Sequence, residues 1–216
     1  MQSLSFVQLL AVAVIPVLFA ITLHEVAHGW VARQLGDRTA EMLGRLTVNP
    51  IKHIDPIGTV VVPVAMLFLG GFLFGWAKPV PIGVRNLRNP HRDMVLVAAA
   101  GPVSNVIMAI AWALLAKLVV VIGVTGGAAT YFAAMAQVGV TINVVLAVFN
   151  MFPLPPLDGG RVVAGLLPPK QSAAFGRLEP WGLPIILVLM FTGVLWQVMQ
   201  PLISAVRNIV YSIAGF

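Results

Sequence analysis

The chain carries His24-Glu25-Val26-Ala27-His28, two imidazoles four residues apart with a carboxylate between them. On a helix, positions i and i+4 share a face. Both rings can then hold one Zn²⁺ while Glu25, one residue round, reaches a water beside the metal as general base. That is the chemistry of zinc-dependent peptide hydrolysis. With 4 His and 3 Glu among 216 residues, this spacing arises by chance on the order of once in a thousand such chains. The alternative, a pair of core histidines without metal, is correspondingly disfavoured.

A catalytic zinc takes three protein ligands and keeps one position open. The long zincin pattern would place a further histidine at residue 34, which is Gln34, so the third ligand comes from elsewhere. The remaining acids are Asp37, Glu41, Asp55, Asp93, Asp158 and Glu179, and the remaining histidines are His53 and His91. Asp158 is the best placed of them, because with the N-terminus outside the third long helix runs inward and delivers its C-terminal end to the depth of His24 and His28. It follows an apolar helix and the run Pro153-Leu154-Pro155-Pro156-Leu157, which holds an unwound segment able to line a wet site, and Gly159-Gly160 after it permits close packing. Its alternative role is a turn or capping residue.

Asn150 and Asn105 are amides inside apolar helices, where an unpaired polar group is costly. Both can serve as interhelical hydrogen-bonding groups. Asn150 can also act catalytically, by hydrogen bonding to a substrate carbonyl or its oxyanion. His53 and Asp55 read as polar loop residues, and Lys78 and the arginines as snorkelling or lipid-facing.

The elements that must position these residues are membrane helices. Fifty-nine per cent of residues are hydrophobic and 9% charged, and mean hydropathy is +0.97, which excludes an ordinary water-soluble domain. The expected fold is an all-α polytopic membrane protein, one domain over 1–216, with about four to six transmembrane helices. A catalytic core over about 5–165 precedes C-terminal helices over about 180–216. The net charge of +6 is scattered through loops without a basic stripe, so the expected partners are anionic lipid headgroups and not nucleic acid. Cysteine is absent, which excludes disulfides and thiolate ligands. The first 20 residues have the hydrophobicity of a signal peptide but no basic n-region, and they read as a retained anchor.

Along the chain, a first helix is expected from about Leu4 to Leu35, with Pro16 as a kink. Glu41 to Val48 has a β-like pattern. Ile57 to Leu69 is apolar but short, and Gly70-Gly71 breaks it, which favours a re-entrant hairpin. Trp76 to Val84 reads as an extended edge segment limited by proline. Further helices are expected over Asp93 to about Ile122, Tyr131 to Phe152 and Leu183 to Met199, with the segment after Pro201 returning or lying along the interface. Eight cationic residues, Arg33, Arg38, Arg45, Lys52, Lys78, Arg85, Arg88 and Arg92, fall between the first two long helices. A re-entrant hairpin keeps all eight in the cytosol, as the positive-inside bias asks. The N-terminus is then outside, and His24 and His28 lie near the cytoplasmic edge of the hydrocarbon.

With HEVAH in a membrane helix, GPVSN at 101–105 and NMFPLPPLDGG at 150–160, the chain resembles the site-2 protease family of intramembrane zinc metalloproteases. NPIKHIDPIGT and GWAKPVPI look like its compact prokaryotic branch, without PDZ-like or nucleotide-sensing domains. The resemblance implies one zinc per chain on His24, His28 and Asp158, Glu25 as general base and Asn150 as an active-site polar residue. It also implies a prokaryotic cell membrane and cleavage of a transmembrane protein substrate in regulated intramembrane proteolysis. Two other classes fit parts of the pattern. A transporter would use broken helices and buried Asn or Asp but would show two pseudo-symmetric halves, and a catalytically idle scaffold would bind helices without needing the intact HExxH.

Overall fold

Ser5 opens the first helix, its hydroxyl accepting from the Gln8 N–H while the Gln8 side chain accepts from the Ser5 N–H. This reciprocal cap satisfies donors that a helix start would otherwise leave bare. The helix, α1, runs Phe6–Gln34 without a break through Pro16. The computed structural model describes residues 5–61 and 77–216. After α1 come a short helix α2 (Thr39–Met42), two brief helical turns at Pro50–His53 and Pro56–Val61, a third at Val84–Asn86, and the long helices α3 (Pro90–Val121) and α4 (Gly126–Asn150). The chain continues as α5 (Asp158–Leu166), α6 (Pro169–Gly176), α7 (Glu179–Phe191) and α8 (Val194–Ala214).

Three of these, over Leu10–Gln34, Pro90–Val121 and Gly126–Asn150, are long and apolar enough to cross a membrane. The bent pair α6 and α7, meeting at 59°, makes a fourth if it acts as one span. The architecture is therefore all-α and polytopic, with three candidate spans among the described residues, or four with the bent pair, where about four to six were expected for the whole chain. Packing follows the rule for helices in lipid, where small residues let backbones approach. Ala20, Ala32, Ala98, Ala109, Ala113 and Ala136 are buried, while Leu10, Phe19, Val103, Ile107, Leu118 and Phe132 face outward. The main core joins Ala109, Ala113, Val140 and Val144 of α3 and α4 to Ile186 of α7 and to Leu195, Met199 and Ile203 of α8.

Several boundaries depart from the sequence reading. The second long helix starts at Pro90 instead of Asp93, since proline suits a first helical position and the Asp93 carboxylate accepts from the Asn89 N–H. The next starts at Gly126 instead of Tyr131, because Ala128 and Ala129 extend a helix through an apparent turn. The expected helix over Leu183 to Met199 is two helices, broken where Gly193 adopts φ 75°. After that break the chain stays helical through Pro201 to Ala214 instead of turning back.

The expected β segments are corrected too, since the described residues contain no strand. Within Glu41 to Val48, bonds from Leu43 N to Thr39 O, Gly44 N to Glu41 O and Arg45 N to Ala40 O close a helical turn, and Gly44 has φ 63°. Local hydrogen bonding there outcompetes the alternating pattern. Residues 77–83 form no strand with any described residue; Pro79 and Pro81 hold the path extended but have no N–H to give a ladder. The hairpin expected over Ile57 to Leu69, its Gly70-Gly71 break and Trp76 lie outside the described residues, apart from the turn over Pro56–Val61.

Two contacts fix how the loop between α1 and α3 is held. The Arg88 N–H donates to Leu35 O at 3.0 Å, so the chain leaves α1 and enters α3 at the same end of the bundle. Beside it, the fully buried Asp37 carboxylate accepts from the Gly83 N–H at 2.7 Å, from the Thr39 N–H and hydroxyl, and from the Asn86 side chain. Burial alone would raise the Asp37 pKa. The hydrogen bonds from Thr39, Asn86 and Gly83 outweigh burial and hold it below the ordinary carboxylate range.

Cysteine labelling tests the common end. Arg38→Cys and Arg85→Cys should react with a membrane-impermeant thiol reagent from one side, and Ala128→Cys, at the start of α4, from the other. Labelling of Arg38→Cys and Arg85→Cys from opposite sides would break this topology. For Asp37, Ala substitution leaves buried N–H donors without acceptors and should cost about 3 kcal/mol. Because its folded pKa is depressed, the contribution of Asp37 is complete above the ordinary carboxylate range and is lost as pH falls through the lowered value. Unfolding curves of the wild type and Asp37→Ala should therefore converge only in strong acid.

Candidate metal centre

His24 and His28 lie one turn apart on the buried face of α1, and Asp158 enters from the first residue of α5. The three are 7%, 6% and 6% exposed. His24 Nε2 lies 3.0 Å from His28 Nε2, and the Asp158 Oδ2 lies 3.2 Å and 3.3 Å from these two nitrogens. A tetrahedral zinc with bonds of about 2.0–2.1 Å has ligands about 3.3–3.4 Å apart, so the triangle matches one face of such a site.

The chemistry of the donors fits as well. His28 Nδ1 is 2.7 Å from Val97 O. A carbonyl can only accept, so Nδ1 carries the proton and Nε2 presents a lone pair. Asp158 Oδ2 has no hydrogen-bond donor although it is buried. A carboxylate oxygen and a bare ring nitrogen at this distance inside a protein require a cation or a proton between them. Among the described residues, these three form the one group of His, Asp or Glu side chains close enough to share a metal ion.

Glycines make the convergence sterically feasible. A Cβ on Gly101 of α3 would lie 2.6 Å from His24 Nε2 and closer still to His28 Nε2, so the glycine keeps clear the space beside the two nitrogens that would hold a metal. A Cβ on Gly159 or Gly160 would run into the backbone of Met151–Pro155, so this pair lets α5 start against the turn that follows α4.

The other sequence candidates fall as follows. The Glu25 carboxylate, half-buried beside the pair of rings, accepts from the Val80 N–H at 2.7 Å, which docks the extended segment 77–83 onto α1. Asn150 is the last residue of α4, and its side chain donates to Leu146 O of its own helix at 3.0 Å. The structure does not bring Asn150 into the triangle. His53 is buried outside the triangle, its Nε2 2.9 Å from Thr47 O and its backbone carbonyl accepting from the Lys78 N–H. Asp55 caps the turn at Ile57 and Gly58. Asn105 does reach the site, with its Oδ1 2.6 Å from His24 Nδ1, and behind it stands Asn143 of α4, which sequence reasoning did not single out. The one sequence signal for Asn143 is an amide in an apolar helix, about two turns before Asn150.

The model of peptidase family M50 matches residues 12–193. The Bacillus subtilis (strain 168) protein named "Putative zinc metalloprotease YwhC" is 41% identical over 197 residues, covering 90% of this chain and 87% of its own. The Mycolicibacterium smegmatis protein named "Putative zinc metalloprotease Rip2" is 29% identical over 202 residues, covering 90% of this chain and 72% of its own. No solved structure matches.

Metal analysis of purified variants tests the centre. Asp158→Ala should lower zinc occupancy, whereas His53→Ala and Asp55→Ala should leave it close to one per chain. Gly101→Ala should exclude zinc while the helical content persists, because the added methyl occupies the metal's space. Full occupancy in Gly101→Ala would contradict the placement of the site between the two rings.

Proposed function

The chain belongs to peptidase family M50, the site-2 proteases, and from that membership we propose that this membrane zinc metallopeptidase cleaves other membrane proteins within or near a transmembrane segment, in regulated intramembrane proteolysis. The observation that carries the reading is the buried triangle of His24 Nε2, His28 Nε2 and Asp158 Oδ2, set among helices long and apolar enough to cross a membrane. We place the site near the cytoplasmic face of a prokaryotic cell membrane, with the N-terminus outside. The loop cations support that orientation by the positive-inside bias. His24 lies roughly 27 Å along α1 from Phe6, so it is near the far edge of a hydrocarbon core of about 30 Å.

Zinc, when bound by His24, His28 and Asp158, supplies Lewis acidity toward a carbonyl oxygen and lowers the pKa of a neighbouring water to about 7. Glu25 takes the proton from that water as its oxygen bonds to the scissile carbon. Glu25 then delivers the proton to the amide nitrogen as the C–N bond breaks, so the carboxylate ends as it began. The Val80 N–H bonded to Glu25 Oε2 restrains the carboxylate on the side of α1 facing the extended segment. Asn150 would turn its amide from Leu146 O toward the substrate oxyanion.

A substrate helix hides its amides in i to i−4 bonds and must unwind before attack. The extended segment 77–83, already lying against Glu25, is where we place the unwound stretch. Arg45, which donates to Lys78 O at 2.9 Å, steadies that segment. A helix-binding scaffold would have no use for three converging metal-type donors.

Reconstituted protein with a single-span membrane protein as substrate tests the reading. Glu25→Gln should keep zinc near one per chain and lose activity by orders of magnitude, whereas His24→Ala should lose both. Cleavage by Glu25→Gln at a rate near wild type would remove Glu25 from the mechanism, and zinc-loaded wild type that cleaves soluble peptides but no membrane segment would remove the substrate class.

A further inference from the structure

GPVSN on α3 contributes Gly101 to the metal's space, but its asparagine has a separate set of contacts. Asn105 and Asn143 are both fully buried. Asn143 Nδ2 donates to Gly139 O at 2.8 Å within α4. Asn143 Oδ1 then faces Asn105 at 2.8 Å. Two amide oxygens in that contact would repel, so Asn105 must present its Nδ2, which also donates to Ala20 O of α1 at 3.2 Å. That leaves Asn105 Oδ1 against His24 Nδ1 at 2.6 Å. An amide oxygen can only accept, so His24 must carry its proton on Nδ1, and Nε2 is left bare toward His28 and Asp158.

We propose that Asn143 and Asn105 are positioning residues for the metal centre, a directional hydrogen-bond relay across α4, α3 and α1 that fixes which nitrogen of His24 is free to bind zinc. Its direction is set by two backbone carbonyls, Gly139 O on α4 and Ala20 O on α1, neither of which can reverse its role. Both enforce the same polarity. The relay does for His24 what Val97 O does for His28 directly, so both rings offer Nε2 before any metal arrives. Asn143 takes part without touching the metal or either ring. In a low-dielectric interior a reversed amide leaves buried donors and acceptors mismatched, which favours one orientation over the other. This inference rests on His24 being a zinc ligand.

Two measurements on the full-length protein in lipid nanodiscs test it. The first is the ¹⁵N spectrum of histidine-labelled, zinc-free protein at a pH where the rings are neutral, with the His24 signal identified by its loss in His24→Gln. Wild type should show His24 protonated on Nδ1, and Asn105→Leu should lose that preference. The second is zinc affinity by chelator competition. Asn105→Leu should weaken binding by about 10–100-fold and Asn143→Leu by about tenfold, as for other groups that orient metal ligands. The double variant should bind no more weakly than Asn105→Leu alone, because the two act through one path. Asn143→Asp should stay near wild type, since a buried neutral carboxyl can still donate to Gly139 O and accept from Asn105.

A His24 ring protonated on Nε2 in the zinc-free wild type overturns the relay. So does wild-type zinc affinity in folded Asn143→Leu, or additive losses in the double variant. If Asn143→Leu fails to fold, the wild-type spectrum and Asn143→Asp still decide. A wild type that binds no zinc would sink the metal-site reading instead, while the ¹⁵N spectrum would still judge the relay.

Discussion

Three acceptor atoms, two ring nitrogens and a carboxylate oxygen, are packed within 3.3 Å of one another in the interior of a membrane bundle. Left to themselves they repel, and in surroundings of low dielectric that repulsion is not screened as it would be in water. The bundle must supply what holds them there. Helix α1 sets two of the three by its own periodicity. The third has to arrive from a different part of the chain at the same depth, which demands that α4 run parallel to α1 and end beside it. Antiparallel α3, packed against both, adds contact surface and the polar groups that orient the rings. The loop between α1 and α3 then has to begin and end at one side, and the Arg88 to Leu35 backbone bond ties the two helix ends together.

The same membrane setting explains the unusual composition of the interior. Lipid offers helices little hydrophobic reason to associate, so close backbone approach and buried hydrogen bonds carry more of the specificity. Alanine and glycine line the contacts among α1, α3 and α4, and Asn105 and Asn143 cross-link these three helices. Gly101 serves both purposes, since the missing side chain allows α3 to approach α1 and keeps the space between the two rings clear.

Much of the site was legible in the sequence because it rests on local periodicity. His24, Glu25 and His28 follow from helical spacing, and Asp158 followed from depth along successive helices, an argument that needs approximate helix lengths only. What could not be read depended on contacts between distant segments. Asn143 looks like any amide in an apolar helix until Asn105 is seen beside it. Asp37 looks like a loop acid, yet it is fully buried because Gly83 and Asn86, nearly fifty residues on, supply its donors. The β-like pattern of Glu41 to Val48 misled because alternation predicts a strand only where a ladder partner exists, and here bonds over three to five residues closed a turn first. The break at Gly193 was hidden for a related reason, since a glycine in an apolar run reads equally well as a packing position within one helix.

The loop chemistry connects to the site through one segment. Asp37 holds Gly83 and, through Asn86, the turn that leads into α3. Val80, three residues before Gly83, is buried and gives its N–H to Glu25. The proline at 79 and the proline at 81 confine the segment to an extended path in which the N–H groups of Lys78 and Val80 point to fixed partners, His53 O and the Glu25 carboxylate. A carboxylate next to a metal site is thus oriented by a backbone donor whose own position depends on a buried acid at the end of α1. Helix α1 therefore sets the site twice, once through the two histidines on its buried face and once through Asp37, three residues beyond its last turn.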